Sequence, residues 1–369
     1  MRYPLVKPVL PEECYDNLEE CIDTGWVSSQ GGFVSRVEIL LAAKLQQDYA
    51  LATSSGTTAL HLALKAIDIK PGDEVIVPNL TFIAPVNAIL HCGATPVFVD
   101  SCNKYMWNID ASQIPSKITS KTKAILAVHI YGIPCNITNI KTLCDQCGLW
   151  LIEDAAEALG GACWGDPVGS FGDISIVSFF ANKNITSGEG GMVFTNHPIL
   201  RDTMQQLRDH GVDSRCPPYY HSMLGYNYRM TNLQAAVLEP QIKMLGEIIK
   251  TKAKIFEYYD KCLGDNIIKA SIPQYFKAGW WLYSALLKEE GWNGPTDGSY
   301  RDSVIRRLKE KGIESRPFFR PAHTMPYVLN TERYPVSTYL SKTGINLPSY
   351  IQLSEEDIEE ICEVVIGNV

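Results

Sequence analysis

GSFGDISIVSFFANKNITSGEGGMVFTN, residues 169–196, is the stretch on which the reading of this chain turns. Residues 174–180 are β-branched and aromatic enough to form a buried strand. The run Ser187-Gly188-Glu189-Gly190-Gly191 is too rich in glycine for a helix and reads as a tight turn. Residues 192–195 then supply a second short strand. One lysine, Lys183, stands between the strands, flanked by Asn182 and Asn184. A lysine at the end of a buried strand, beside a turn that admits close backbone approach, is placed like a Schiff-base lysine. Partial desolvation would lower its pKa and leave a neutral amine free to attack an aldehyde. A surface lysine on a plain hairpin fits this stretch equally well.

Working outward, short apolar strands alternate with helical segments. Residues 74–78, 95–100, 123–129 and 149–152 read as strands, with helices between most of them. That rhythm predicts an α/β fold with a mostly parallel central sheet covered by helices on both faces. Three places in it invite a ligand. Ser54-Ser55-Gly56-Thr57-Thr58 opens a helix with small and hydroxylated residues, which suits a phosphate and suits a simple N-cap as well. His129-Ile130-Tyr131-Gly132 closes one strand, where a ligand-facing Tyr131 is expected. Glu153-Asp154-Ala155-Ala156-Glu157 closes the next, and carboxylates at the ends of parallel strands lie where such sheets bind ligands. No companion ligands for a metal accompany these acids. A single buried carboxylate would serve well beside a pyridine nitrogen that must stay protonated.

Composition narrows the class further. The 369 residues are 46% hydrophobic and 20% charged, as in ordinary globular proteins, and leave room for a large domain and a smaller one. A net charge of −8 argues against a nucleic-acid partner. No apolar run is long enough to span a bilayer, and MRYPLVKPVLPEE lacks the apolar core of a signal peptide. With eleven scattered cysteines, this predicts a cytoplasmic protein with free thiols. Cys144-Asp145-Gln146-Cys147 has no second pair at ligand spacing, so we expect helix packing there and no metal.

Residues 11–23 form an amphipathic pattern with Tyr15, Leu18 and Ile22 on one face, followed by the loop Trp26-Val27-Ser28-Ser29-Gln30-Gly31-Gly32. Further on, Gly225-Tyr226-Asn227-Tyr228-Arg229-Met230-Thr231-Asn232 precedes a long helix over 233–263. The character of the chain changes beyond about residue 270. The expected division is a cofactor-binding domain over 1–240 and a smaller α+β domain over 241–369.

The lysine segment, Val177-Ser178-Phe179-Phe180-Ala181-Asn182-Lys183 through Gly191, resembles that of the DegT/DnrJ/EryC1/StrS sugar aminotransferases. The resemblance extends over nearly the whole chain. It implies the fold type I of pyridoxal-phosphate enzymes and pyridoxal 5'-phosphate as cofactor, cycling through pyridoxamine phosphate. By this resemblance Lys183 carries the cofactor covalently and Gly56 and Thr57 hold its phosphate. Phe82 stacks on its ring, Asp154 pairs with the ring nitrogen, and Glu157 lies near the ring hydroxyl. Ser178 belongs to the same cofactor site. The loop bearing Asn227 would reach across a homodimer to the partner's cofactor phosphate, so that active sites are shared. Trp26, Tyr131, Arg316 and His323 would contact substrate. ESRPFFRPAHT, residues 314–324, and GINLPS, residues 344–349, match the branch that aminates GDP-4-keto-6-deoxymannose with glutamate as donor. Two departures from that branch, Ala181 for glycine and Gly279-Trp280-Trp281 for a His-x-Tyr-Trp-like run, leave a dTDP- or UDP-linked sugar open. Related dehydratases replace the lysine by histidine, so Lys183 speaks against them. Intact Lys183, Asp154 and Gly56-Thr57 speak against a non-catalytic regulator.

Overall fold

The computed structural model describes residues 1–213, 215–288, 297–328 and 330–367. Seven strands build the main sheet: β1 (Tyr49–Thr53), β2 (Glu74–Pro78), β3 (Thr95–Val99), β4 (Thr122–Val128), β5 (Trp150–Asp154), β6 (Ile174–Ser178) and β7 (Gly191–Thr195). Their spatial order is β1-β7-β6-β5-β4-β2-β3. Pairings from β6 through β3 are parallel, whereas β7 runs antiparallel to both neighbours. The glycine turn at 187–191 causes that reversal, since it returns the chain directly beside β6. A parallel neighbour would instead need a crossover helix.

The central strands are buried along nearly their whole length, which is why their sequences read as continuous apolar runs. Helices α1 (Glu13–Thr24), α2 (Gly32–Lys44), α3 (Gly56–Ala66), α4 (Ala84–His91), α5 (Ile137–Cys147) and α6 (Pro198–Arg208) surround the sheet. Cys144 is buried on α5 and Cys147 is exposed, both as free thiols. Among the described residues, no cluster of His, Cys, Asp or Glu could hold a metal ion. Nor is any helix there long and apolar enough to cross a membrane.

Helix α7 (Asn232–Leu263) links the main sheet to a second one, built from β8 (Ile267–Ile268), β9 (Tyr283–Leu287), β10 (Arg316–Pro317) and β11 (Gly344–Leu347). The expected boundary at 240/241 thus falls inside α7. The first residues of the chain also join the second unit: Tyr3 bridges Ile313, and Leu5 N–H donates to Glu314. Helices α8 (Ser299–Glu310), α9 (Pro335–Thr343) and α10 (Glu355–Ile366) complete that unit.

The face expected on α1 is corrected by the structure. Cys14 and Cys21 point into the core, with Leu18 packed beside it, while Tyr15 and Ile22 are 72% and 69% exposed. Ile39 on α2, Trp26 and Val27 are exposed as well. Periodicity found a helix with an apolar stripe, but the stripe meets this chain's own core only at Leu18.

Candidate active site

A cavity of about 380 Å³ opens at the carboxyl ends of β4, β5 and β6 and is closed on its far side by the second unit. Lys183, Asp154 and Glu157 all face it, with Gly56, Thr57, Phe82, Ser178 and Arg316 around them. The hairpin between β6 and β7 aims Lys183 inward. Its side chain is only 13% exposed, and Nζ lies 3.8 Å from Glu157 Oε1 and 3.9 Å from the centre of the Trp281 ring.

Electrostatics follow from that burial. Desolvation lowers the Lys183 amine, against the opposing pull of Glu157 and Asp154. Asp154 ends β5 and accepts a hydrogen bond from Ala156 N–H at 3.0 Å, yet burial raises it to about 6. Glu157 is likewise raised by burial, to about 7, although it accepts from Tyr131 N–H at 2.7 Å. Next to Asp154 on β5, Glu153 points to the other face of the strand. It accepts from Gly169, Phe171 and Gly172 N–H and bonds His129 Nε2 at 2.9 Å. His129 Nδ1 accepts from Cys135 N–H, which leaves the ring proton on Nε2.

At the opposite end of the cavity, Ser55 caps α3 by accepting from Thr58 N–H at 3.1 Å. The N–H groups of Gly56 and Thr57 have no intrahelical carbonyl to bond and are available to an anion. Two glycines permit this crowding. A Cβ at Gly56 would lie 2.9 Å from Ser178 Cβ, and one at Gly191 would lie 2.7 Å from Gly56 N. These parts suit a pyridoxal phosphate: an anion cradle, a buried acid for a ring nitrogen, and a desolvated amine for a carbonyl. Thr81 Oγ1 and Asn182 Oδ1, both on the cavity wall, are buried without a protein partner among the described residues, as a polar ligand would require.

Other expected site residues lie elsewhere. Tyr131 does not face the cavity. Its φ of 53° turns it into the core, where its hydroxyl accepts from Phe319 N–H at 2.7 Å and its ring stacks on Trp281 and Phe319. It backs the wall of the cavity without touching its contents. His323 is also absent from the lining; Asn79 Oδ1 holds its Nδ1 at 3.0 Å and its ring packs on Tyr334. Arg316 reaches the cavity while paired with Glu314 at 3.0 Å. Trp26 and Asn227 are exposed and lie outside the cavity. Asn227 Oδ1 accepts from Arg229, and the loop runs along the turn before α3, where Ser54 N–H donates to Tyr228 O at 2.8 Å. Sequence reasoning did not single out Trp281, Phe319, Asn346 or Glu189 as lining residues. All four stand in segments singled out in the sequence: Glu189, Phe319 and Asn346 in stretches that match the family, Trp281 in the run that departs from it.

Known proteins resemble this chain over nearly its whole length. The GDP-perosamine synthase of Vibrio cholerae is 43% identical over 98% of both chains. That of Escherichia coli O157:H7 is 42% identical over 99% of this chain and 98% of its own. Among solved structures, the Streptococcus pneumoniae protein Spr1654 in its PLP-form superposes with a TM-score of 0.90 at 26% identity, covering 98% of this chain and 97% of that one. The matching family model spans residues 8–366, and the chain therefore belongs to the DegT/DnrJ/EryC1/StrS aminotransferase family.

Proposed function

We propose that the protein is a pyridoxal-phosphate-dependent aminotransferase that moves an amino group from glutamate to C4 of GDP-4-keto-6-deoxymannose, giving GDP-perosamine. The observation that carries the reaction class is the meeting of a desolvated Lys183 with two buried carboxylates in one cavity. The two perosamine synthases, similar from end to end, support the sugar.

When bound, the cofactor supplies an electrophilic carbon for amines and a ring that withdraws electrons. The chain supplies the rest. Gly56 and Thr57 N–H would hold its phosphate. Asp154 would keep a proton on its ring nitrogen. Lys183 would anchor the cofactor and, once released, would take the proton from Cα of the amino donor. Its depressed pKa leaves more neutral amine near pH 7 than a solvated lysine would have. Phe82, Trp281 and Phe319 line the cavity with aromatic surface and limit water there. Arg316 offers a cation to the acidic part of a nucleotide sugar.

A homodimer with shared sites belongs to the same reading. The exposed apolar set of Tyr15, Ile22, Trp26, Val27 and Ile39 supports a large interface, of the obligate class at roughly 2,000 Å² or more. Exposed Asn227 beside the phosphate turn is available to serve a partner's site. The deciding experiment is an assay of GDP-, dTDP- and UDP-linked keto-sugars with glutamate, reading 2-oxoglutarate and the aminated sugar. Amination of GDP-4-keto-6-deoxymannose well above the others is expected. A stronger preference for a dTDP- or UDP-linked sugar overturns the substrate, and no transamination with any sugar overturns the class.

A further inference from the structure

A second lysine lies behind the first. Lys252 projects from the middle of α7 and is only 4% exposed, yet no carboxylate lies within ion-pair distance of it among the described residues. Its ammonium donates to two oxygens, Asn184 Oδ1 at 2.8 Å and the backbone carbonyl of Trp281. Both acceptors border the active site. Asn184 follows Lys183 in the chain and donates its own Nδ2 to Gly279 O at 2.6 Å. Trp281 returns a bond from the other side, its Nε1 donating to Asn182 O at 2.7 Å. The residues on either side of Lys183 are thus both fastened to the 279–281 segment. Lys252 ties the knot between them, and the Lys183 amine rests against the ring of the same tryptophan.

A buried, unpaired amine is costly, and here burial pulls it down to about 7. A methionine would fill the same space without that cost, so packing alone gives no reason for lysine. The hydrogen-bond pattern does. The β6–β7 hairpin and the 279–281 segment come from different units of the fold and share no sheet pairing. Without a clamp, the hairpin carrying Lys183 could shift relative to its aromatic wall.

We propose that Lys252 is a positioning residue for Lys183, locking the hairpin that carries it to the Trp281 wall through Asn184 Oδ1 and the Trp281 carbonyl. The proposal rests on Lys183 being the cofactor lysine, and the test separates the two ideas. Hydrogen–deuterium exchange of the full-length protein, without cofactor, is compared for wild type, Lys252→Met and Asn184→Ala. Rates of covalent pyridoxal phosphate capture, read by borohydride trapping and mass spectrometry at Lys183, are compared in parallel.

In both variants, peptides covering 179–187 and 278–284 should exchange faster, while the start of α7 over 232–245 stays as in wild type. Capture at Lys183 should slow roughly tenfold to a hundredfold, since displacements of about 1 Å carry penalties of that size. The double variant should add little to either single one, because both break the same clamp. The proposal is overturned if exchange in 179–187 is unchanged in a folded Lys252→Met protein, if capture stays within about twofold of wild type, or if the two lesions add fully. Should Lys252→Met fail to fold, the shorter Lys252→Gln decides by the same exchange and capture criteria, because Asn184→Ala also removes the bond to Gly279 O. Absence of capture at Lys183 in the wild type would instead sink the cofactor assignment, while the exchange comparison still judges the clamp.

Discussion

Replacing Asp154 with asparagine should stabilise the cofactor-free protein and cripple the enzyme. The side chain keeps its shape and can still accept from Ala156 N–H, so the change is mainly one of charge. Burial raises the folded carboxyl from 3.8 to about 6. Each unit is about 1.4 kcal/mol, so holding this charge costs the folded chain roughly 3 kcal/mol at most. The sign is fixed by linkage. For an acid whose folded pKa lies above its unfolded one, the stability it contributes is greatest below about pH 4. That contribution is lost as pH rises to about 6, after which the deficit is constant.

Denaturant unfolding of cofactor-free protein at a fixed protein concentration reads this directly. Asp154→Asn should exceed wild type by about 3 kcal/mol at pH 8 and by about half that at pH 5. In the loaded enzyme the order reverses: turnover should fall by orders of magnitude, because asparagine cannot hold the ring nitrogen protonated. Cofactor affinity should fall much less, by the roughly 1.5–3 kcal/mol of a charge-assisted bond. A variant no more stable than wild type at pH 8 would refute the claim that a costly buried charge is kept for a cationic partner. Near-normal turnover would remove Asp154 from the chemistry.

Lys183→Ala should abolish transamination yet still bind pyridoxal phosphate non-covalently, as equilibrium dialysis and borohydride trapping can show; substantial turnover without added amine contradicts the assignment. Glu157→Gln removes a negative charge 3.8 Å from the Lys183 amine, and should therefore move the pH profile of Lys183 labelling by an amine reagent to lower pH. A profile shifted upward would show that Glu157 does not support the ammonium form. Asn227→Ala should weaken cofactor retention without unfolding the chain. Mixing it with Lys183→Ala should restore activity, since one site of each heterodimer then carries neither lesion; no recovery despite proven subunit exchange would defeat the shared-site model.

Much of the fold was legible because the central strands are buried on both faces. Residues 174–178 and 150–154 announce themselves by continuous apolar character, and the turn at 187–191 by its glycines. The face of α1 was not legible. A sequence reveals that Tyr15, Leu18 and Ile22 form a stripe, but not whether the stripe meets the chain's own core or another surface. Tyr131 misled for a different reason. The strand-end rule located the correct loop, but a left-handed turn at that residue and the demand of Phe319 N–H for an acceptor drew the ring inward. Trp281, just before β9, and Asn346, on β11, reach the cavity from the second unit, and no local pattern records such a meeting.

Asp154, Glu157 and Lys183 share one physical predicament. Each is taken from water, and each is shifted towards its neutral form by burial. The two acids partly hold the lysine's charge, and the lysine partly holds theirs, but none has the close ion pair that would settle it. Glu153, one residue before Asp154, shows what a purely structural buried acid looks like on the same strand, with three backbone N–H donors and a histidine around its carboxylate. Asp154 has a single donor and faces the cavity. Adjacent positions on one strand alternate between the two faces of the sheet, so one acid is spent on holding the fold and the next is left for a ligand. That difference in satisfaction, more than burial itself, separates the cavity-facing carboxylate from the structural one. An anionic cofactor with a basic ring would suit such a site: its phosphate would meet free N–H groups, and its ring nitrogen would meet the under-bonded acid.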